Sequence, residues 1–117
     1  MIALLKKTPS VSAIRDSIPE PLFTRISRRI AREEEILIEY AEQILEKALM
    51  YLMMCAKNPG KVYPPSPEAD IGWHAFLMYT KEYQEFCSTH AGSFIHHCPT
   101  DTEGSDKNCN NHCENNE

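Results

Sequence analysis

The sequence predicts an all-α fold: a small bundle of three main helices followed by a disordered polar tail. Three observations carry this. Apolar residues recur at helical spacing in three long stretches. Proline and glycine punctuate the boundaries between those stretches. Apolar residues make up 42% of 117 residues, enough for one core in one domain. The expected organisation is a loose lead-in over residues 1–16, a helical domain over 17–100 and a tail over 101–117.

Taken in order, "SIPEP" offers Ser17 as a cap and two prolines that place a helix start near Pro19 to Pro21. Leu22, Phe23, Ile26 and Ile30 then recur on one face, with Arg25, Arg28, Arg29 and Arg32 on the other. Arg29 and Glu33 are spaced i,i+4, and three glutamates follow the arginines, so this face reads as solvated and self-paired. In the longest helix candidate, Leu37, Ala41, Ile44, Ala48, Leu52 and Cys55 form an apolar stripe that Ile38, Leu45 and Leu49 widen. The sequence leaves open whether the two helices bend near Glu33–Glu35. "LMYLMM" within the long helix reads as core, with an adaptable partner-binding surface as the alternative. "NPG" at 58–60 stops the helix, since Pro59 removes a donor and disfavours helix at Asn58.

After the stiff connector "KVYPPSP", Ser66 reads as an N-cap with Pro67 at the first helical position. A single helix is expected from Pro67 to about Thr89, closed by Gly92. At 100° per residue, Trp73, Phe76, Thr80, Tyr83 and Cys87 share one aromatic arc of the core. "SFIHHCP" then packs back or turns. From Asp101 onward the chain has no large apolar residue, and disorder is expected there.

Net charge near −5 and a pI near 5.5 argue against general affinity for nucleic acid or anionic membranes. The longest apolar run, "ALMYLMMCA", is far short of the roughly 20 residues of a membrane span. A cytoplasmic protein with mostly reduced cysteines is expected, five cysteines fitting no closed disulfide framework. No phosphate loop, nucleophile elbow or HExxH motif occurs.

Residues 66–100 hold the chemistry: four of the five histidines, the single tryptophan and three of the four phenylalanines. Asp70 and His74 are one turn apart on the rim of the aromatic arc. With His97, or His96 as alternate, they form a two-histidine, one-carboxylate set that suits zinc or non-haem iron with open positions. The other reading of the same spacing is structural: Asp70 accepts a hydrogen bond from His74 and pins the helix start to the "FIHHCP" segment. A second, weaker donor set combines Cys98 with Cys109, His112 and Cys113 of the tail, a Cys3His group suited to zinc or Cu(I) at a spacing that matches no standard zinc signature.

"SPEADIGWHAFLMYTKEYQEFC" followed by "GSFIHHCPT" resembles the glycine-rich-domain-containing-protein-like family. The matching positions are Pro65, Ser66, Pro67, Asp70, Trp73, His74, Thr80, Tyr83, Phe86, Cys87, His96, His97 and Pro99, and the likeness extends over residues 20–100. It implies an all-helical domain and no defined molecular activity. Phe76 stands where members of that family commonly carry a further histidine, and the tail holds Gly104 alone in place of a glycine-rich stretch. Two functions of different class are therefore expected: a non-catalytic interaction module with a protein partner, or a metal-dependent enzyme that uses Asp70, His74 and His97.

Overall fold

The path of the chain is set by where its helices can start and stop. A computed structural model describes residues 11–60 and 63–97. Five helices occur there: α1 Val11–Arg15, α2 Glu20–Glu34, α3 Ile38–Lys57, α4 Pro67–Leu77 and α5 Thr80–His90. No strand is present among the described residues. The fold is all-α as expected, with five helices rather than three. The 101–117 tail and the cysteines at 98, 109 and 113 lie outside the described residues.

The short α1 falls in the stretch expected as a lead-in, and its Ile14 is buried in the core. Ser17 closes this helix rather than opening the next: its hydroxyl donates to the Ile14 carbonyl at 2.7 Å. α2 starts from Pro19 without a side-chain cap, with Pro21 in its first turn. Leu22, Phe23, Ile26 and Ile30 are buried as their spacing requires. On the opposite face Arg29 pairs with Glu33 at 3.2 Å, and the Arg25 and Arg29 guanidinium groups stand over the Tyr79 ring.

α2 and α3 are separate helices. Glu35 takes the left-handed conformation (φ 58°), and the Ile36 amide reaches back to the Ala31 carbonyl at 3.1 Å, the six-to-one bond of a Schellman ending. Glycine normally fills that position, so the sequence carries no mark of it. α3 then begins after Leu37, which is 75% exposed; Ile38 is exposed too, so the apolar stripe starts at Ala41 rather than at Leu37. Asn58 ends α3, its side-chain amide donating to the Met54 carbonyl.

Ser66 caps α4 as expected, accepting from the Ala69 amide at 3.1 Å. The expected 67–89 helix is broken at Met78 and Tyr79. Their amides bond three residues back, to Ala75 and Phe76, and Tyr79 leaves helical geometry (φ −104°, ψ 69°). The break has a tertiary cause. In an unbroken helix Trp73 and Tyr83 would be about 15 Å apart along the axis, yet here Trp73 Nε1 donates to the Tyr83 hydroxyl at 2.9 Å. Thr80, placed in the core arc by the unbroken wheel, is exposed as a result. Gly92 (φ 79°) ends α5, its amide reaching the Cys87 carbonyl.

The core gathers around α3, which packs most extensively on α4. Trp73, Tyr83, Phe76, Leu45, Leu49 and Leu52 are among its fully buried side chains, each contributing roughly 1.5–3 kcal/mol. The α3–α4 contact is close because position 72 has no side chain. A Cβ there would stand 2.8 Å from both the Ala48 methyl and the Ile44 carbonyl oxygen.

Two substitutions test this account by urea denaturation. Gly72→Ala should lower stability by about 1–3 kcal/mol, because backbone must shift to admit the methyl. Glu35→Gly should raise it by about 0.5–1 kcal/mol by relieving the left-handed conformation.

Candidate functional site

The candidate residues sit where α4, α5 and the 93–97 segment meet, and the Tyr83 hydroxyl organises the junction. It accepts from Trp73 Nε1 and donates to the Ile95 carbonyl at 2.6 Å. Phe76 and Phe94 meet the Tyr83 ring edge to face, with centroids 5.0 and 5.3 Å away. Burial pushes the phenol far above its ordinary value, and the neighbouring Cys87 adds to this, so Tyr83 stays neutral and can donate. Burial likewise raises the Cys87 thiol. That agrees with the sequence reading of Cys87 as a small apolar residue rather than a nucleophile.

With Ile95 held, His97 lies with its ring edge-on to Trp73 at 4.4 Å, and its Nε2 stands 2.7 Å from Asp70 Oδ1. The His97 side chain is only 12% exposed, whereas Asp70 keeps 43%. The tautomer that carries hydrogen on Nε2 donates to the carboxylate. The structural role expected for Asp70 is therefore present with a different imidazole. The partner is His97, and His74 is exposed, its ring centroid 5.6 Å from that of His97.

Of the metal-ligand candidates, Asp70 and His97 are brought into contact and His74 stands beside them. His96 does not join: it is exposed and packs on Phe94 at 5.0 Å. The Asp70–His97 distance is that of a hydrogen bond. Two donors at about 2.1 Å from a tetrahedral zinc ion would be roughly 3.4 Å apart. Among the described residues no three His, Cys, Asp or Glu side chains form a group able to hold a metal ion. Cys98, Cys109, His112 and Cys113 lie outside the described residues. The remaining core histidine, His90, packs on Phe86 and donates to the Ser17 carbonyl, tying α5 to the α1–α2 corner.

One feature escaped the sequence reading, and a second was read there only as an alternative. Glu68, in the first turn of α4, accepts hydrogen bonds from both Tyr40 and Lys47 of α3. Lys47 and then Tyr40 hold its carboxyl below the ordinary range, while Glu68 raises both partners. These are exposed groups that steer α4 onto α3, and the i,i+7 spacing of Tyr40 and Lys47 was the available signal. The second feature is an open groove of about 610 Å³ beside the start of α4, lined by Lys47, Met50, Tyr51, Met53, Met54 and Lys57. It divides "LMYLMM": Leu49, Tyr51 and Leu52 are core, whereas Met50 and Met54 are 40% and 38% exposed.

Tyr83→Phe should cost about 2–4 kcal/mol, since the Ile95 carbonyl and the Trp73 indole both lose their partner. The pH dependence should change as well. An unfolded chain releases the Tyr83 proton near 10.0 and the Cys87 proton near 9.0, while burial in the native chain moves both to higher pH. Stability is then fully present below those values and falls as pH rises through them. Urea midpoints measured from pH 7 to 11 should decline from about pH 9, and Tyr83→Phe should flatten the part of the decline above 10.0.

No curated protein and no solved structure matches the chain. A family model matches residues 14–115, described as UCP032817-like. This corrects the resemblance drawn from the Trp-His and His-His elements, which pointed to the glycine-rich-domain-containing-protein-like family. The match spans nearly the whole chain, from the end of α1 onward, and the chain belongs to the UCP032817-like family.

Proposed function

We propose that this domain is a non-catalytic interaction module. The observation that carries the reading is the open methionine-lined groove on α3, an adaptable apolar surface on a helix whose opposite face is fully committed to the core. The polar residues that looked like a reaction centre have internal work instead. Asp70 and His97 join α4 to the 93–97 segment, His90 joins α5 to Ser17, and His96 covers Phe94. His74 is exposed and meets only the His97 ring, at 5.6 Å, among the ring contacts of the described residues.

Metal analysis of untagged full-length protein, combined with two variants, tests the reading against a zinc- or iron-dependent enzyme. The module predicts metal well below one ion per chain. His97→Ala should lose about 2 kcal/mol, through its hydrogen bond and its packing on Trp73, while His74→Ala should stay within about 0.5 kcal/mol of the parent. One zinc or iron per chain that is released by His74→Ala would overturn the module and restore Asp70, His74 and His97 as ligands.

A further inference from the structure

The outward face of α3 has a pattern that suits one particular partner. Reading along it at alternating four- and three-residue steps gives Glu39, Gln43, Glu46, Met50, Met53 and Lys57. That spacing keeps a stripe in line along a helix and is the spacing of a helix-pairing seam. The stripe begins acidic, becomes apolar and ends basic. It lies opposite the buried stripe of Ala41, Ile44, Leu45, Ala48 and Leu52, and its methionine centre is covered only in part, Met53 packing against the edge of the core. Met50 and its neighbour Met54 are exposed there.

We infer that this domain pairs with a second copy of itself through antiparallel contact of the two α3 outer faces. The dyad passes between Met50 and Met53, so that Met50 of each copy meets Met53 of the other and Lys57 of each stands opposite Glu46 of the other. The inference rests on the interaction-module reading and names its partner. A two-fold pair requires a self-complementary patch, and a stripe that is acidic at one end and basic at the other is complementary to itself only when reversed. The apolar residues must then lie at the centre, where they do. Glu46 has reason to take the contact. Its carboxyl is pushed up by burial and again by Glu42, and Arg15 at 3.6 Å offsets this only in part. A second cation from the other copy would complete the neutralisation.

Other occupants fit less well. The tail beyond Asp101 has no large apolar residue to fill a methionine groove. The seam from Glu46 to Lys57 is about 16 Å long, so the pair should be weak and concentration-dependent.

Sedimentation velocity of the full chain from about 10 to 500 μM tests this over the range in which small interfaces associate. The mass should move toward twice the chain mass as concentration rises. Met50→Ser should keep it at one chain, with thermal melts confirming an intact fold. Lys57→Glu should weaken association at least tenfold. Adding Glu46→Lys to Lys57→Glu should recover it, because each reversed charge again faces its opposite. A parent that stays monomeric at every concentration would overturn self-pairing, as would a dimer indifferent to Met50→Ser and Lys57→Glu. Peroxide oxidation separates the remaining cases. A monomer whose Met50 and Met54 resist oxidation has the groove filled by its own chain. A monomer whose methionines oxidise freely has it open for a different partner. Both results sink the pairing; a filled groove removes the support of the module reading as well, whereas an open one leaves that reading to the metal measurement.

Discussion

A single buried hydroxyl holds the second half of this fold in place. Tyr83 has one proton to give and lone pairs to receive, and it uses them on groups from two other segments, the Trp73 indole and the Ile95 carbonyl. Neither group could be buried without a partner, since an orphaned buried donor or acceptor costs about 1–3 kcal/mol. The demand fixes more than two bonds. It requires the chain to turn between Trp73 and Tyr83, hence the break at Met78 and Tyr79. It also requires the 93–97 segment to return across α4, which sets His97 against Trp73 and within reach of Asp70.

The first half obeys a steric constraint instead. α3 and α4 approach so closely at Gly72 and Ala48 that a methyl could be added only by moving the backbone. Tyr51 bridges the two regimes. Its ring lies 5.2 Å from Trp73, and its hydroxyl donates to the Tyr63 carbonyl, so the connector into α4 is tied to α3 just before the Ser66 cap. Glu68 adds an exposed tie to Tyr40 and Lys47. Such surface contacts contribute little energy but select one rotation of the helix.

What could be read from the sequence follows from this division. Features with a local cause were legible: the Ser66–Pro67 start of α4, the stop at Asn58, the Gly92 ending and the buried stripe of α3 all depend on side chains a few residues apart. Features with a tertiary cause were not. Glu35 takes a glycine's conformation because the α2–α3 hairpin holds it there, and Met78–Tyr79 breaks a helix with no proline or glycine nearby because Tyr83 must reach Trp73. The same limit governed the site. Sequence spacing put Asp70 beside His74, its neighbour on the helix, whereas the partner that binds it is 27 residues on and arrives only when α5 folds back. The expected Asp70–His74 hydrogen bond is replaced by one between Asp70 and His97.

That reassignment bears on function. An imidazole that is nearly buried, edge-on to an indole and bonded to a carboxylate at 2.7 Å is held in one orientation, and its visible use is to close the helix junction. Asp70 stands on one side of the His97 ring and Trp73 on another. The exposed apolar surface lies elsewhere, on the outer face of α3, where Met50 and Met54 remain in water although the same helix buries eight other residues. Scattered exposed apolar residues are ordinary on a protein surface. Three methionines adjoining an open groove, with lysines at its borders and glutamates one turn before it, form a contiguous and ordered patch instead. For the pairing we propose, the rigid junction built by Tyr83 and His97 would serve as the fixed platform, since a helix face can offer a defined pattern to a partner only if the helix itself does not rotate or slide within its fold.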